Sequence, residues 1–229
     1  MESRTLINTF YLVETILKGL FLVMSPFNLR WTLMVAFLAS LIGIIRVLKR
    51  PQFNKEYLGK VFMNNHGQNL LYITFGSLGF VNYLYYAPIA LFFFYGIAEY
   101  INMKHPTASI SQYTGIIRNH RFYIMEGRCR IEMVFLAYLV ITLPLDFMNR
   151  LIKVFMIGQY LLIKYRINNE FRYASSSVNA WIEAKISGIG FLLNGYKKLA
   201  GIVHDYANRQ PEAPAPAPAP AAENAAPHQ

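Results

Sequence analysis

The sequence predicts an all-α membrane protein: about six short helices arranged as three hairpins, followed by an amphipathic helix and an extended tail. Of the 229 residues, 55% are hydrophobic and 15% are charged, against about 25% charged in an average soluble domain. Residues 67–98 contain no Asp, Glu, Lys or Arg. This run is longer than the roughly 20 apolar residues that cross a bilayer as one helix. Basic residues gather in blocks between such apolar stretches, which is a third sign of a membrane protein.

The basic blocks predict which parts of the chain face the cytosol. The formal net charge is +10, which by itself would also suit a nucleic-acid-binding protein, but other features of such modules are missing. Blocks of this kind are typical of cytosolic loops. We therefore expect anionic lipid headgroups, and not nucleic acid, beside them. Seventeen of the 22 cations lie in three blocks: Arg46, Lys49, Arg50, Lys55 and Lys60; Lys104, Arg118, Arg121, Arg128 and Arg130; Lys164, Arg166, Arg172, Lys185, Lys197, Lys198 and Arg209.

Each apolar stretch between blocks has room for two helices, so the chain would enter the bilayer and return to the same side. Pro26 and Pro144 lie at the first and third turns, where proline cannot continue a helix. The second turn is expected near residues 79–82. An even number of crossings leaves both termini cytosolic. The predicted limbs are residues 6–25 with 31–48, 61–80 with 84–103, and 131–143 with 148–163.

The uncharged part of several limbs is shorter than a hydrocarbon core. It covers residues 19–29, 31–45, 133–145 and 154–163, whereas a spanning helix needs about 20 residues. Flanking charged residues could snorkel to the headgroups and complete ordinary spans. Alternatively, the hairpins enter only part of the bilayer and act as wedges in the cytosolic leaflet. Both alternatives give the same topology for the hairpin domain, which we assign to residues 1–174.

Residues 175–209 are predicted to form an amphipathic helix in the plane of the membrane interface. Apolar residues recur there at three- and four-residue spacing, and lysines lie elsewhere around the helix, which suits anionic lipid. Packing on the hairpins or on a partner protein would give the same periodicity. Gly188 and Gly190 make a break near them conceivable. The interface residues are Trp181, Ile182, Ile189, Leu192, Leu193, Tyr196, Lys197 and Lys198.

Residues 210–229 alternate Ala and Pro over much of their length. Such a composition favours extended polyproline II and lacks the apolar side chains for a core. We expect a disordered tail with no site.

Polar residues in or next to the predicted limbs are the remaining candidates. Glu14 and Lys18, four residues apart, are intramembrane candidates because charge is expensive in a bilayer, although an i,i+4 ion pair is an ordinary structural device. The segment at residues 64–68 could line a polar pocket or join helices by hydrogen bonds. Headgroup contacts are predicted for six cations: Arg46, Lys49, Arg50, Lys164, Arg166 and Arg172.

No motif predicts an enzyme or a cofactor. Cys129 is the only cysteine, which rules out an intramolecular disulfide and a cysteine-rich zinc site. The five histidines show neither H-x-x-x-H nor H-E-x-x-H spacing, and G-x-S-x-G and P-loop sequences are absent. We therefore expect a non-enzymatic protein without a cofactor or a metal.

Several segments resemble the transmembrane protein 33 family, also called the Krüppel homologue 2 family, which includes nuclear-pore-associated membrane proteins of fungi. The likeness covers about residues 5–190 in order and spacing. The short N-terminus and the Ala-Pro tail depart from the family pattern. The segments are IRVLKRPQF at residues 45–53, NLLYI at 69–73, FVN at 80–82, APIALF at 87–92, and the stretch at 160–173.

The resemblance implies a polytopic protein of the endoplasmic reticulum and nuclear envelope. It implies no enzyme, but a role in tubule shaping and nuclear pore organisation with other membrane-shaping or pore proteins, as a homo- or hetero-oligomer. One alternative is a structural subunit of a larger membrane complex, such as respiratory machinery of the mitochondrial inner membrane or a translocation machine. Another is a small transporter or channel that uses Glu14, Lys18 and residues 64–68.

Overall fold

The computed structural model describes residues 2–48, 54–76 and 83–208, and over these residues the chain is entirely helical, without a strand. The predicted all-α class is confirmed. Lys49, Arg50, the predicted turn at residues 79–82 and the tail at 210–229 lie outside the described residues. The helices are α1 (Glu2–Met24), α2 (Leu29–Leu48), α3 (Lys55–Met63), α4 (Asn65–Gly76), α5 (Tyr83–Lys104), α6 (Ser109–Asn119), α7 (Arg121–Ile141), α8 (Phe147–Ile167), α9 (Asn169–Ile186) and α10 (Gly190–Asn208).

Three of the described helices are long and apolar enough to cross a membrane: Thr5–Met24 in α1, Arg30–Leu48 in α2 and Tyr83–Lys104 in α5. The first two form the hairpin predicted at the N-terminus. They pack closely against each other, joined by a turn at residues 25–27 in which the Phe27 amide donates to the Met24 carbonyl at 2.9 Å.

The limb predicted at residues 61–80 differs from the structure. The chain forms the short helices α3 and α4 instead, and Asn64 between them has an extended conformation, with φ −84° and ψ 139°. The Asn64 side chain accepts a hydrogen bond from the His66 amide at 2.8 Å, which satisfies a donor at the start of α4. With 12 residues, α4 is about 18 Å long and packs mainly on α2.

The third predicted hairpin corresponds to the end of α7 and most of α8. A short 3-10 turn at Leu143–Leu145 joins the two helices, as Pro144 predicts. Both helices have 21 residues, but they carry more charges than the three candidate spans. Length alone therefore does not make them spanning helices.

The core of the protein is an aromatic cluster where α4, α5, α7 and α8 meet. The Tyr72 and Tyr85 rings stack with centroids 4.5 Å apart, and the Tyr85 hydroxyl donates to the Tyr72 carbonyl. Phe135 and Tyr160 extend the cluster at 5.4 Å from Tyr85 and Tyr72 respectively. Close ring pairs of this kind add to the stabilisation from burial.

The region predicted as one amphipathic helix consists of α9 and α10, interrupted at residues 187–189. The interruption falls beside Gly188 and Gly190, where helix propensity is lowest. α9 begins at Asn169, earlier than predicted, and the Asn168 side chain caps it by accepting from the Phe171 amide at 2.8 Å. Phe171 and Ala174 are buried, so the start of α9 belongs to the core.

Candidate functional site

A buried ion-pair network joins α1, α2 and α4. Lys18 Nζ lies 2.5 Å from Glu14 Oε1, and Arg46 Nε donates to Glu14 Oε2 at 2.7 Å. His66 Nε2 lies 3.6 Å from Glu14 Oε1. Glu14 is fully buried and Lys18 is 2% exposed. One carboxylate therefore faces two cations and an imidazole, and the predicted i,i+4 partners do meet.

Two glycines leave room for this first network. A Cβ atom at Gly96 of α5 would collide with Lys18 Nζ, and one at Gly43 of α2 would collide with the His66 ring. Absence of a side chain at both positions lets the polar groups lie between closely packed helices. The arrangement therefore depends on residues from four helices.

A second buried network joins α7 and α8. Arg128 Nε donates to Glu132 Oε1 at 3.1 Å, and Lys164 Nζ donates to Glu132 Oε2 at 2.5 Å. The Tyr160 hydroxyl adds a donor to Glu132 Oε1 at 3.4 Å. Arg128 and Lys164 are each 2% exposed, and Glu132 is fully buried. Here too, one carboxylate faces two cations.

Neutral side chains connect the two networks. Arg128 Nη2 donates to Asn69 Oδ1 at 3.4 Å, and Asn69 Nδ2 donates to Ser40 Oγ of α2 at 2.9 Å. The Phe92 ring of α5 lies between cations, with Lys18 Nζ 5.6 Å and Arg128 Cζ 4.8 Å from its centroid. Cation–π contacts of this kind stabilise desolvated cations.

A cavity of about 250 Å³ adjoins the first network, and we call it the cationic cavity. Lys18, Arg46 and Arg121 line it, with Glu99 as the one carboxylate among the lining residues. A neighbouring cavity of about 410 Å³ shares Asn65 and Arg121 with it. The other residues that line the cationic cavity are Val47, Asn64, Asn65, His66, Phe92, Tyr95, Gly96 and Met125.

The Cys129 thiol and clusters of His, Asp or Glu are the groups that redox or metal chemistry would require. Burial raises the pKa of the Cys129 thiol to about 11, so the thiol stays protonated at neutral pH and is a poor nucleophile or metal ligand. Within residues 2–48, 54–76 and 83–208, no three His, Cys, Asp or Glu side chains come together as a metal site would require.

The predicted interface residues divide between α9, α10 and the break between them. Trp181, Ile189 and Leu192 are exposed, at 62%, 47% and 43%. Ile182, Leu193 and Tyr196 are half-buried. Lys198 is exposed, and Lys197 lies 3.8 Å from Glu183.

α10 has an exposed apolar face. At 100° per residue, its exposed apolar residues fall within about 120° of arc. They are Phe191, Leu192, Leu199, Ile202, Val203 and Tyr206. Leu193 and Ala200, which are half-buried, lie on the other side of the helix.

The expected headgroup contact is wrong for Lys164, because this side chain is buried against Glu132. Arg46 is 20% exposed and paired with Glu14. Arg172 donates to the Tyr165 carbonyl at 2.9 Å and the Arg166 carbonyl at 2.5 Å, which satisfies acceptors at the end of α8. Arg166 in turn donates to the Tyr206 carbonyl at 2.8 Å. Headgroup contacts of Arg166 and Arg172 stay predictions.

The α7–α8 hairpin ends in an exposed apolar tip. Ile141 and Leu145 are each 77% exposed, and Met148 is 70% exposed. From residue 133 to residue 149, Asp146 is the only charged residue. The apolar surface extends from the tip along both helices. Its exposed residues there include Val134, Val140, Phe147 and Phe155.

The second network could not be recognised in the sequence. Arg128 and Glu132 show i,i+4 spacing, the same signal as Glu14 and Lys18, but Arg128 lies in a basic block that predicts a cytosolic loop and Glu132 in the limb predicted after it. Lys164 is 32 residues from Glu132, so no local pattern could pair them. His66, which belongs to the polar segment at residues 64–68, lies beside Glu14, 52 residues earlier.

No protein-family model, no curated protein and no solved structure matches the chain. The resemblance to the transmembrane protein 33 family therefore stays a prediction from the sequence segments. The function has to be inferred from the geometry of the described residues.

Proposed function

We propose that the chain is a non-enzymatic membrane protein that shapes or stabilises bilayer curvature. The proposal retains about six short helices in three hairpins, with both termini cytosolic. The observation that carries it is the exposed apolar tip of the α7–α8 hairpin, which is too short in its uncharged part to cross a bilayer.

The depth of the tip follows from its length. The uncharged end of α7, residues 133–141, is about 14 Å long at 1.5 Å per residue, roughly half of a 30 Å hydrocarbon core. Buried polar groups at Glu132 and Lys164 lie beyond this uncharged part. A hairpin inserted to that depth occupies area in one leaflet and little in the other. The difference in area favours a curved bilayer.

The apolar face of α10 would act in the same leaflet. Phe191, at 77% exposed, and Leu199, at 64% exposed, lie on the face that points away from the rest of the chain. Lys198 flanks this face, about 20° from Phe191, and Lys197 lies on the opposite side of the helix. An amphipathic helix of this kind inserts its apolar side at the boundary of headgroups and acyl chains and is sensitive to curvature. Lipid contact would cover apolar area that is otherwise exposed to water.

The cellular setting of the proposal depends on the sequence segments that resemble the transmembrane protein 33 family. From them we propose the endoplasmic reticulum and the nuclear envelope as the location. The partners proposed on the same ground are membrane-shaping or nuclear pore proteins, in a homo- or hetero-oligomer.

The test is reconstitution of the full chain into liposomes at rising protein-to-lipid ratio, with vesicle shape imaged by electron microscopy. The wild-type chain is expected to give tubules or small vesicles. Leu145→Asp places a charge at the tip and is expected to restore large vesicles. Leu58→Asp is the matched control, because Leu58 is an exposed leucine, at 47%, on α3 between the exposed side chains of Glu56 and Lys60.

Large round vesicles with the wild-type chain would refute curvature shaping. Equal loss of curvature with both variants would refute the role of the tip.

A second candidate function is that of a structural subunit of a larger membrane complex. Ile110, Tyr113 and Ile116 on α6 are exposed at 54%, 71% and 59%. They recur every three residues and form a stripe that a partner helix could cover. Stoichiometric partners after purification in mild detergent, lost with Tyr113→Asp, would favour this function. A monodisperse chain without partners would favour curvature shaping.

A further inference from the structure

We propose that the cationic cavity binds a phosphate group. Three cations, Lys18, Arg46 and Arg121, line it against the single carboxylate Glu99. This inference concerns a cavity that the exposed Arg121 borders, and it does not depend on curvature shaping.

The buried groups around the cavity carry more positive than negative charge, which favours binding of an anion. Glu14 faces the cations of Lys18 and Arg46, and Glu132 faces those of Arg128 and Lys164. Cations therefore outnumber carboxylates in both networks. Charge that is removed from water without full compensation is strongly unfavourable. Around the cationic cavity, Glu14 and Glu99 together balance two of the three cations Lys18, Arg46 and Arg121. An anion bound there would compensate the remaining positive charge.

The donors around the cavity are of the kind that recognises phosphate. Guanidinium groups offer planar, paired N–H donors that match phosphate oxygens. Arg121 has no ion pair or hydrogen bond to any residue that the structure describes, so its guanidinium is free for a ligand. Asn65 and His66 at the start of α4 also line the cavity, where the positive end of the helix dipole favours an anion.

His66, which lines the cavity, carries a buried atom without a hydrogen-bond partner among the described residues. His66 is 8% exposed, and the atom is its Nδ1. Buried polar atoms are nearly always hydrogen-bonded, so each exception calls for an explanation. Nδ1 itself lies against Gly43 of α2, which does not line the cavity, so a ligand there would contact another part of the ring.

The size and the position of the cavity limit the ligand. A volume of about 250 Å³ is below the roughly 300–1,000 Å³ of sites for drug-sized ligands, which favours a single phosphate-bearing group over a nucleotide. Gly96 lies two helical turns, about 12 Å, before Lys104 at the end of α5. The cavity is thus near the basic end of a candidate span. The phosphate could belong to an anionic phospholipid or to a soluble phosphate ion.

The experiment measures thermal unfolding of the full chain in a neutral detergent as a function of ligand concentration, because a ligand that binds the folded state raises Tm. One arm adds inorganic phosphate, against chloride at equal ionic strength. The other adds phosphatidic acid, against phosphatidylcholine. Arg121→Gln is expected to weaken binding by roughly tenfold or more, as the loss of a charge-assisted hydrogen bond implies.

Arg118→Gln is the matched control, because Arg118 is an exposed arginine three residues away that does not line the cavity. It should leave binding unchanged. Asn65→Asp keeps the size of the side chain and adds a negative charge to the lining, so it should also weaken binding. If Arg121→Gln does not fold, Asn65→Asp is the variant that tests the proposal.

A response to phosphatidic acid alone would assign the site to a lipid headgroup, and a response to inorganic phosphate would assign it to a soluble anion. Either response supports the proposal if Arg121→Gln or Asn65→Asp weakens it. The absence of both responses would overturn the proposal, as would equal weakening by Arg121→Gln and Arg118→Gln. Failure of the liposome experiment would leave this result unaffected.

Discussion

Lys164 Nζ lies 2.5 Å from Glu132 Oε2, although 32 residues separate them in the chain. Both side chains are buried, and Glu132 also accepts from Arg128 within α7. This carboxylate therefore holds α8 to α7 beside the aromatic core. Loss of its charge should weaken the contact between the two helices.

Glu132→Gln is expected to destabilise the protein by about 3–5 kcal/mol, because it leaves two buried cations without a counter-charge. Lys164→Met should be milder, since Arg128 still compensates Glu132. Unfolding in detergent, followed by circular dichroism, measures both. Glu56→Gln is the control, because Glu56 and Lys60 form an exposed i,i+4 pair that should contribute within about 1 kcal/mol. Equal effects of Glu132→Gln and Glu56→Gln would contradict the structural role of the buried network.

Glu14→Gln distinguishes a structural ion pair from a transport site. Because Glu14 is the only carboxylate among the described residues that forms a salt bridge with Lys18 or Arg46, we expect a lower abundance of folded protein. Fluorescence-detected size exclusion of the tagged chain measures it. Unchanged abundance with loss of ion flux in proteoliposomes would instead indicate a transporter.

Gly43→Ala is expected to destabilise the chain by about 1–3 kcal/mol, the range for overpacking a core. The new methyl group would meet the His66 ring and push it from its place beside Glu14. Gly158→Ala in α8 is the matched control, since no described atom outside its own helix lies within 4 Å of a Cβ there. It should stabilise by about 0.5–1 kcal/mol. Thermal unfolding of both variants checks the sign.

Trp181 should lie at the membrane interface if α9 and α10 contact lipid. The chain has two tryptophans, so Trp31→Phe leaves Trp181 as a single fluorophore, 62% exposed. We expect stronger quenching by lipids brominated near the headgroup than by lipids brominated near the chain end. Trp181→Phe, which reports on Trp31, is the control. Quenching by aqueous iodide alone would show that this region faces water.

Cys129 is expected to resist alkylation in the folded protein. Its thiol is 2% exposed, and burial raises its pKa to about 11, so the reactive thiolate is scarce at pH 8. Labelling with a maleimide, followed by intact mass spectrometry, should be slow until denaturant is added. Rapid labelling under native conditions would contradict the buried position.

The helical class, the N-terminal hairpin and the turn at Pro144 could be predicted because each depends on local properties: apolar length, charge and the missing amide of proline. The break at Asn64 could not, since a polar segment such as residues 64–68 can either continue a helix or interrupt it. Its effect depends on the side-chain hydrogen bond to the His66 amide and on packing of α4 against α2.

A positive charge in the sequence does not by itself reveal whether the side chain is exposed or buried. Lys164 comes after ten uncharged residues and would suit a headgroup, yet Glu132 attracts it into the core. That outcome depends on how α7 and α8 align, which no spacing within either segment reveals. The long-range contact of Glu14 with His66 is hidden for the same reason.

Each of the carboxylates Glu14 and Glu132 has one cationic partner on its own helix, four residues away, and another on a helix that comes later in the chain. The local partner is in place as soon as a single helix has formed during synthesis. α1 and α7 can therefore form with these acidic groups already paired, before α2 or α8 has emerged from the ribosome. The later cations, Arg46 and Lys164, then join α2 to α1 and α8 to α7.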